Sequence, residues 1–144
     1  MEIRKATTAD CHTLAQLACR MWEHDPAELA KEFAVLSSSD NAACFLAFVE
    51  DKAVGFAQCQ LRSDYVEGCE TSPVGFLEGI YVDACFRHAG IAKALLTACE
   101  AWARAAGCTE FASDCELDNH ASLSRHLRAG FQEMGRTIWF AKKL

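Results

Sequence analysis

An apolar strand over residues 74–83 passes through a short loop bearing Arg87 and Gly90 into an amphipathic helix predicted over 90–106. A second apolar strand is predicted at 109–114. A helix that links two strands in this way returns the chain to the same end of a sheet, so the two strands read as parallel neighbours. Ile91, Leu95, Cys99 and Trp102 share one helical face, and Gly107 is placed to end the helix. The connecting loop aims backbone N–H groups at one point beside a helix N-terminus. That is an anion site, and it suits a pyrophosphate. Gly90 permits a close approach or a positive φ, and the small Ala92 leaves room above the loop.

The remaining pattern frames this unit. Residues 2–6 read as a strand, and Thr7 or Thr8 caps a helix over about 8–23 with Leu14, Leu17, Ala18, Met21 and Trp22 at helical spacing. A second helix starts near Pro26, which a first helical turn tolerates. Strands at 43–50 and 53–62 surround Glu50-Asp51-Lys52 as an antiparallel hairpin, and 63–73 is a polar loop. A helix over 119–129 ends at Gly130, and final strands are predicted at 131–134 and 136–142. The fold class is α/β in the mixed sense: a central mixed sheet with helices on both faces.

Composition narrows the function. The chain of 144 residues is 51% hydrophobic and 24% charged, which suits one globular domain with a real core. No apolar run approaches the ~20 residues that a bilayer span needs, and the N-terminus lacks the apolar core of a signal peptide. A cytoplasmic protein without a membrane partner is expected. The net charge of −6 disfavours nucleic acid and favours a cationic substrate. Nine cysteines occur without a C-x-x-C pair, so they read as small packed hydrophobes, and no metal is expected.

Arg87-x-x-Gly90-x-Ala92 resembles the (Arg/Gln)-x-x-Gly-x-(Gly/Ala) signature of GNAT acyltransferases. The element order is also that of the GNAT fold, so the resemblance spans residues 1–144 as one domain. It implies acetyl-CoA as co-substrate, held by Ile80, Val82, Arg87, His88, Ala89, Gly90, Ile91 and Ala92, with Asn119 beside the pantetheine arm. His126 stands where the family usually has a Tyr that protonates the departing thiolate. His126 could serve that role near neutral pH, or could be a packed helix residue.

Three further segments are similar to the short, chromosomally encoded bacterial aminoglycoside 6′-N-acetyltransferases. These are Arg62 to Pro73, Phe76 to Ile80, and Ala112-Ser113-Asp114. Trp22-x-His24-x-Pro26 adds to the likeness. The resemblance implies an aminoglycoside substrate facing Glu78, Asp114, Tyr65 and Trp22, and a homodimer whose partner helps to form the antibiotic site. A further acidic contact expected after Gly130-Phe131 is less clear: Gly135 falls there, with Glu133 two residues earlier.

The residues themselves suggest roles. Glu78 lies in an apolar strand, and strict alternation puts it on one face with Phe76, Ile80 and Val82. A carboxylate there is either ion-paired or near a cleft, where it could take the amine proton directly or through water. Asp114 at a strand end could anchor a second ammonium or cap a turn. A backbone N–H of Gly79 or Ile80 is placed to stabilise the oxyanion. No cysteine has an adjacent base in a recognisable pattern, so direct attack in a ternary complex is expected rather than an acyl-enzyme. The alternatives are acetylation of another amine, such as a polyamine or a protein N-terminus, and a non-catalytic acyl-CoA-binding module.

Overall fold

The computed structural model describes residues 1–144. Five strands form one mixed sheet in the order β1-β2-β3-β4-β5. They are β1 (Glu2–Lys5), β2 (Ala42–Val49), β3 (Lys52–Arg62), β4 (Val74–Val82) and β5 (Phe111–Ser113). The first four pair antiparallel, and β4 pairs parallel with β5. The helices are α1 (Cys11–Ala18), α2 (Pro26–Ser37), α3 (Ile91–Ala105) and α4 (His120–Arg128).

The sheet is covered on both faces, which explains why Ala42 to Ala47 of β2 are all buried. Ala43, Phe45 and Ala47 face one core, packed with Leu95, Leu96 and Cys99 of α3. Cys44 and Leu46 face the other, packed with Leu14 and Leu17 of α1 and Phe33 of α2. Glu50 and Asp51 both adopt positive φ in the β2–β3 turn, as a tight hairpin requires. Gly107 has φ +93°, and the amides of Gly107 and Cys108 bond back to the carbonyls of Arg104 and Ala103. This is a left-handed helix stop that glycine supplies without steric cost.

Three expectations are corrected. The first helix is preceded by a 3-10 turn at Thr8–Asp10 and ends at Ala18, not near residue 23. Residues 19–24 turn away, and the Trp22 ring comes to lie against Gly79 and edge-on to Phe56 at 6.0 Å. The strand at 109–114 is shorter, at Phe111–Ser113. The strands predicted at 131–134 and 136–142 do not form: the chain beyond α4 pairs with no strand. Met134 lies against Gly68, and the tail then projects Ile138, Trp139 and Phe140 at 76%, 89% and 90% exposure. These three consecutive residues are of strand-forming types, but the segment pairs with no strand of the sheet.

Candidate active site

The parallel ladder between β4 and β5 is short. It joins Gly75, Phe76 and Leu77 to Phe111, Ala112 and Ser113, and stops there. Beyond it β4 continues to Val82, paired only with β3. The two strands therefore open a cleft whose apex is Leu77 and Ser113. One wall of the cleft is the free β4 edge over residues 78–82, with peptide groups that an extended amide-bearing chain can meet. Ile80 and Val82 turn their side chains into the core beneath α3, so only their main chain faces the cleft.

The open edge leads to the N-terminus of α3. Gly90 precedes that helix at φ +83°, and no side chain caps it. A Cβ at Gly90 would meet nothing within 4 Å. The first helical amides, of Ile91, Ala92 and Lys93, thus face open space, and the helix dipole favours an anion there. His88 also has positive φ, at +66°. Arg87 folds back so that its Nε donates to the Val82 carbonyl at 2.8 Å, which fixes the guanidinium at the mouth of the cleft. His88, Ala89 and Ala92 are exposed around it, whereas the Ile91 side chain is buried as a core anchor. The bare amides and the space above them fit a pyrophosphate.

Glu78 sits at an irregularity in the ladder. Gly79 pairs with Gln58 and Leu77 with Cys59, which leaves Glu78 as an extra residue, a β-bulge. The bulge breaks the alternation expected for this strand. Phe76 joins a small cluster with Val66 and Val74, while Ile80 and Val82 lie in the α3 core. Glu78 is therefore not on their common face. Its Oε1 accepts from Arg62 Nη2 at 2.7 Å and from Nε at 3.2 Å, and the guanidinium stacks on Phe76 at 3.4 Å. Oε2 is left for another partner. Arg62 received no role from the sequence, because only the strand register brings it beside Glu78.

Arg62 also lines a hollow of about 400 Å³ with Gln60, Leu61, Ser63, Asp64 and Tyr65. Tyr65 is 78% exposed, and its hydroxyl donates to Glu67 at 3.4 Å. The loop that carries it is tied down from β5. The Glu110 carboxylate accepts from the amides of Glu70 at 2.9 Å and Thr71 at 2.7 Å, and from the Thr71 hydroxyl. Those bonds, the hydroxyl's foremost, hold the Glu110 carboxyl below its usual range. Glu110 was not foreseen, since its partners lie forty residues away in sequence.

Asp114 follows Ser113 and is exposed at the cleft's apex. Trp22 is half-buried against Gly79 and Phe56, so it is a wall of the β4 region as well as core. Asn119 caps α4, its side-chain oxygen accepting from the Ser122 amide at 3.1 Å. His126 is half-buried on α4, edge-on to Phe131 at 5.2 Å. Its Nε2 lies 2.8 Å from Ser113 Oγ, and its Nδ1 lies 2.7 Å from the Ser122 carbonyl. Glu133 pairs with Arg136 instead of facing the cleft, and Gly135 passes beside Glu67.

The cleft, the bare helix N-terminus and the carboxylate at the bulge define an acyltransferase of the GNAT type, and the chain belongs to the acetyltransferase (GNAT) family, whose model matches residues 8–131. The chain is similar to aminoglycoside N(6′)-acetyltransferase type 1 of Acinetobacter haemolyticus, at 39% identity over 100% of this chain and 99% of the relative. It is also 39% identical to the Stenotrophomonas maltophilia protein of the same name, over 99% of this chain and 93% of that one. Among solved structures, aminoglycoside N-acetyltransferase AAC(6′)-Iy in complex with CoA superimposes with a TM-score of 0.95 at 35% identity, over 99% of this chain and 95% of that one. The same enzyme with a bisubstrate analogue, CoA-S-monomethyl-acetylneamine, gives 0.94 at 35% identity, over 99% and 98%.

Proposed function

We propose that this chain, as a single domain, is an aminoglycoside 6′-N-acetyltransferase that moves acetyl from acetyl-CoA to the 6′-amine by direct attack in a ternary complex. The observation that carries the reading is the free β4 edge running from the Glu78 bulge to the uncapped N-terminus of α3. One end of that track suits a diphosphate and the other holds a carboxylate, the distance between them being spanned by main chain with no β5 partner. The antibiotic as acceptor is supported by the relatives and by the acidic surface around Asp64, Tyr65 and Asp114. Loss of one cationic amine weakens such a drug on anionic RNA, so the reaction confers resistance.

In this reading the amides of Ile91, Ala92 and Lys93, with Arg87 and His88, hold the pyrophosphate. Asn119 lies beside the pantetheine arm, where its side-chain nitrogen remains free to donate. The aminoglycoside enters from the Tyr65 side, with Trp22 and Asp114 as further contacts. Glu78 Oε2 takes the amine proton, directly or through water, while Arg62 holds the other oxygen in place. Fixing amine and thioester together removes much of the entropic barrier. A backbone N–H at Gly79 or Ile80, on the stretch of β4 beyond the end of the β5 ladder, meets the developing oxyanion. His126 supplies the proton that the thiolate needs.

The protein acts in the cytoplasm, where acetyl-CoA is made. It works as a homodimer, a reading supported by the apolar tail: Ile138, Trp139 and Phe140 are covered by nothing in their own chain. A second copy with a matching sheet edge would cover them.

The test is CoA thiol release with acetyl-CoA and kanamycin or tobramycin, against an aminoglycoside with a 6′-hydroxyl. Saturable turnover that vanishes for the 6′-hydroxy compound is expected. Turnover on polyamines or peptides alone would discard the antibiotic and keep the acyltransfer, and CoA binding without any turnover would discard the enzyme.

A further inference from the structure

We propose that Ser113 is a catalytic residue, the group whose hydroxyl hands a proton to the departing CoA thiolate, with His126 recharging it. The proposal deepens the acyltransferase reading above and rests on it. Ser113 is the last paired residue of β5, opposite Leu77, the last residue of β4 before the cleft opens. Its hydroxyl is therefore at the apex, beside the Glu78 bulge on which the amine chemistry is placed. His126 sits behind it on α4, with Nε2 at 2.8 Å from Oγ.

The proton positions follow from the partners. Nδ1 lies 2.7 Å from the Ser122 carbonyl, and a carbonyl oxygen only accepts. The Ser122 hydroxyl is more distant, at 3.3 Å, so the nearer carbonyl assigns the hydrogen to Nδ1 in both charge states. In the neutral ring Nε2 is bare and accepts from the Ser113 hydroxyl. In the imidazolium Nε2–H donates to Ser113 Oγ, and the hydroxyl hydrogen turns outward, with the Leu77 carbonyl at 3.3 Å as its resting acceptor. Protonating His126 thus reverses the Ser113 hydroxyl from donor toward His126 to donor toward the cleft. The Ser122 carbonyl occupies the orienting position that a carboxylate holds in many serine–histidine pairs.

No other group takes this task. The chain has two tyrosines. Tyr81 packs with the α1–α2 core, and burial, then the neighbouring Asp83, push its phenol up. Tyr65 is out on the loop with Glu67. The usual aromatic hydroxyl is missing from this cleft, and a serine hydroxyl backed by an imidazole stands at its apex.

The step balances as follows. The amine nitrogen bonds to the acetyl carbon, the carbon–sulfur bond breaks, and its electron pair leaves on sulfur. The Ser113 O–H proton passes to sulfur as the His126 Nε2 proton passes to Ser113 Oγ. The imidazole ends neutral and CoA leaves as thiol, while the acceptor nitrogen gives up two protons through Glu78 to water, one before attack that frees the amine and one after attack that leaves the amide. Solvent returns a proton to His126 for the next turnover.

Two measurements on the full chain test this. In steady-state kinetics, Ser113→Ala is expected to lower kcat by about 10²-fold with the KM for acetyl-CoA within twofold, and Ser113→Thr to recover most of the loss. Ser113→Ala combined with His126→Gln is expected to be no slower than the slower single variant, because the two act as one unit. A wild-type kcat in Ser113→Ala, or losses that multiply in the double variant, overturns the relay. The second measurement is independent of the acceptor: ¹⁵N spectra of imidazole-labelled protein with and without CoA. The neutral His126 ring is expected as the Nδ1–H tautomer, with an Nε2 resonance that CoA moves in the wild type and not in Ser113→Ala. An Nε2–H tautomer, or a CoA response that survives Ser113→Ala, refutes the proposal. The expected spectra in a protein inactive on aminoglycosides would strike the antibiotic reading and leave the Ser113–His126 arrangement standing.

Discussion

Replacing Gly90 by alanine isolates one requirement of the cleft. Gly90 has φ +83° and ψ 5° at the start of α3, and its missing Cβ faces open space. Alanine there meets no steric clash, so the whole effect is backbone strain, about 1–2 kcal/mol for a side chain in the left-handed region. The strain has two outlets. If the loop keeps its shape, the folded protein loses that stability, and Tm falls by about 3–8 °C for a chain of this size. If the loop relaxes, the amides leave their common aim and CoA binds about 5–30-fold more weakly, the affinity equivalent of the same energy. The two losses together amount to about 1–2 kcal/mol, read by thermal melting and by CoA titration calorimetry. Gly107→Ala is the control. It has φ +93° and open space above it, at the far end of a 15-residue helix, so it carries like strain about 22 Å from the loop. It is expected to lower Tm and to leave CoA affinity alone. Gly90→Val adds bulk where the pyrophosphate would lie and is expected to weaken CoA further. An unchanged Tm with CoA affinity within twofold in Gly90→Ala would refute the strain argument and the anion site built on it.

Three further predictions concern other parts of the molecule. Glu78→Gln is expected to lower kcat by about 10²-fold or more while acetyl-CoA still saturates at its former concentration, and wild-type turnover would remove Glu78 from the mechanism. Asp10, hydrogen-bonded by Arg4 and by the Thr7 amide, has its carboxyl lowered from 3.8 to about 2. Its contribution is complete above pH ~4 and lost as pH falls through about 2, so Asp10→Asn should flatten that part of the stability curve. The shift of about 1.8 (3.8 less about 2) sets a ceiling of about 2.4 kcal/mol, and about 1 is expected because Arg4 is 40% exposed, as urea melts across pH 2–7 would show. Changing Ile138, Trp139 and Phe140 together to serine is expected to convert a sedimenting dimer to monomer, and an unaltered dimer would place the interface elsewhere.

What could be read from the chain follows from where each signal resides. The β4–α3–β5 unit was legible because hydrophobic periodicity and Gly90 are local properties. The same holds for the hairpin of β2 and β3. Glu78 was legible as an oddity, but its bulge was not, since a bulge exists only relative to the register of β3. Arg62, Ser113 and Glu110 escaped for that reason: each gains its importance from a partner that only the fold brings near. Met21 and Trp22 continue the apolar stripe and so suggest a longer first helix, while Trp22 in fact packs on Gly79 and Phe56. Ile138, Trp139 and Phe140 are strand-forming residue types, but residue type does not state which edge, or which chain, supplies a partner.

The tether from Glu110 bears on how such a protein changes its substrate range. Two of the three bonds that Glu110 accepts come from main-chain amides, of Glu70 and Thr71. Main-chain donors are common to all residues but proline, and the hydroxyls that add to them belong to Thr71 and Ser72, so the anchorage of this loop does not draw on the side chains of Asp64, Tyr65 or Glu67. Asp64, Tyr65 and Glu67 can therefore be exchanged without loosening the loop that presents them. Variation at the hollow is uncoupled from the integrity of the sheet, and a population under a new antibiotic can explore acceptor specificity there at little risk to folding.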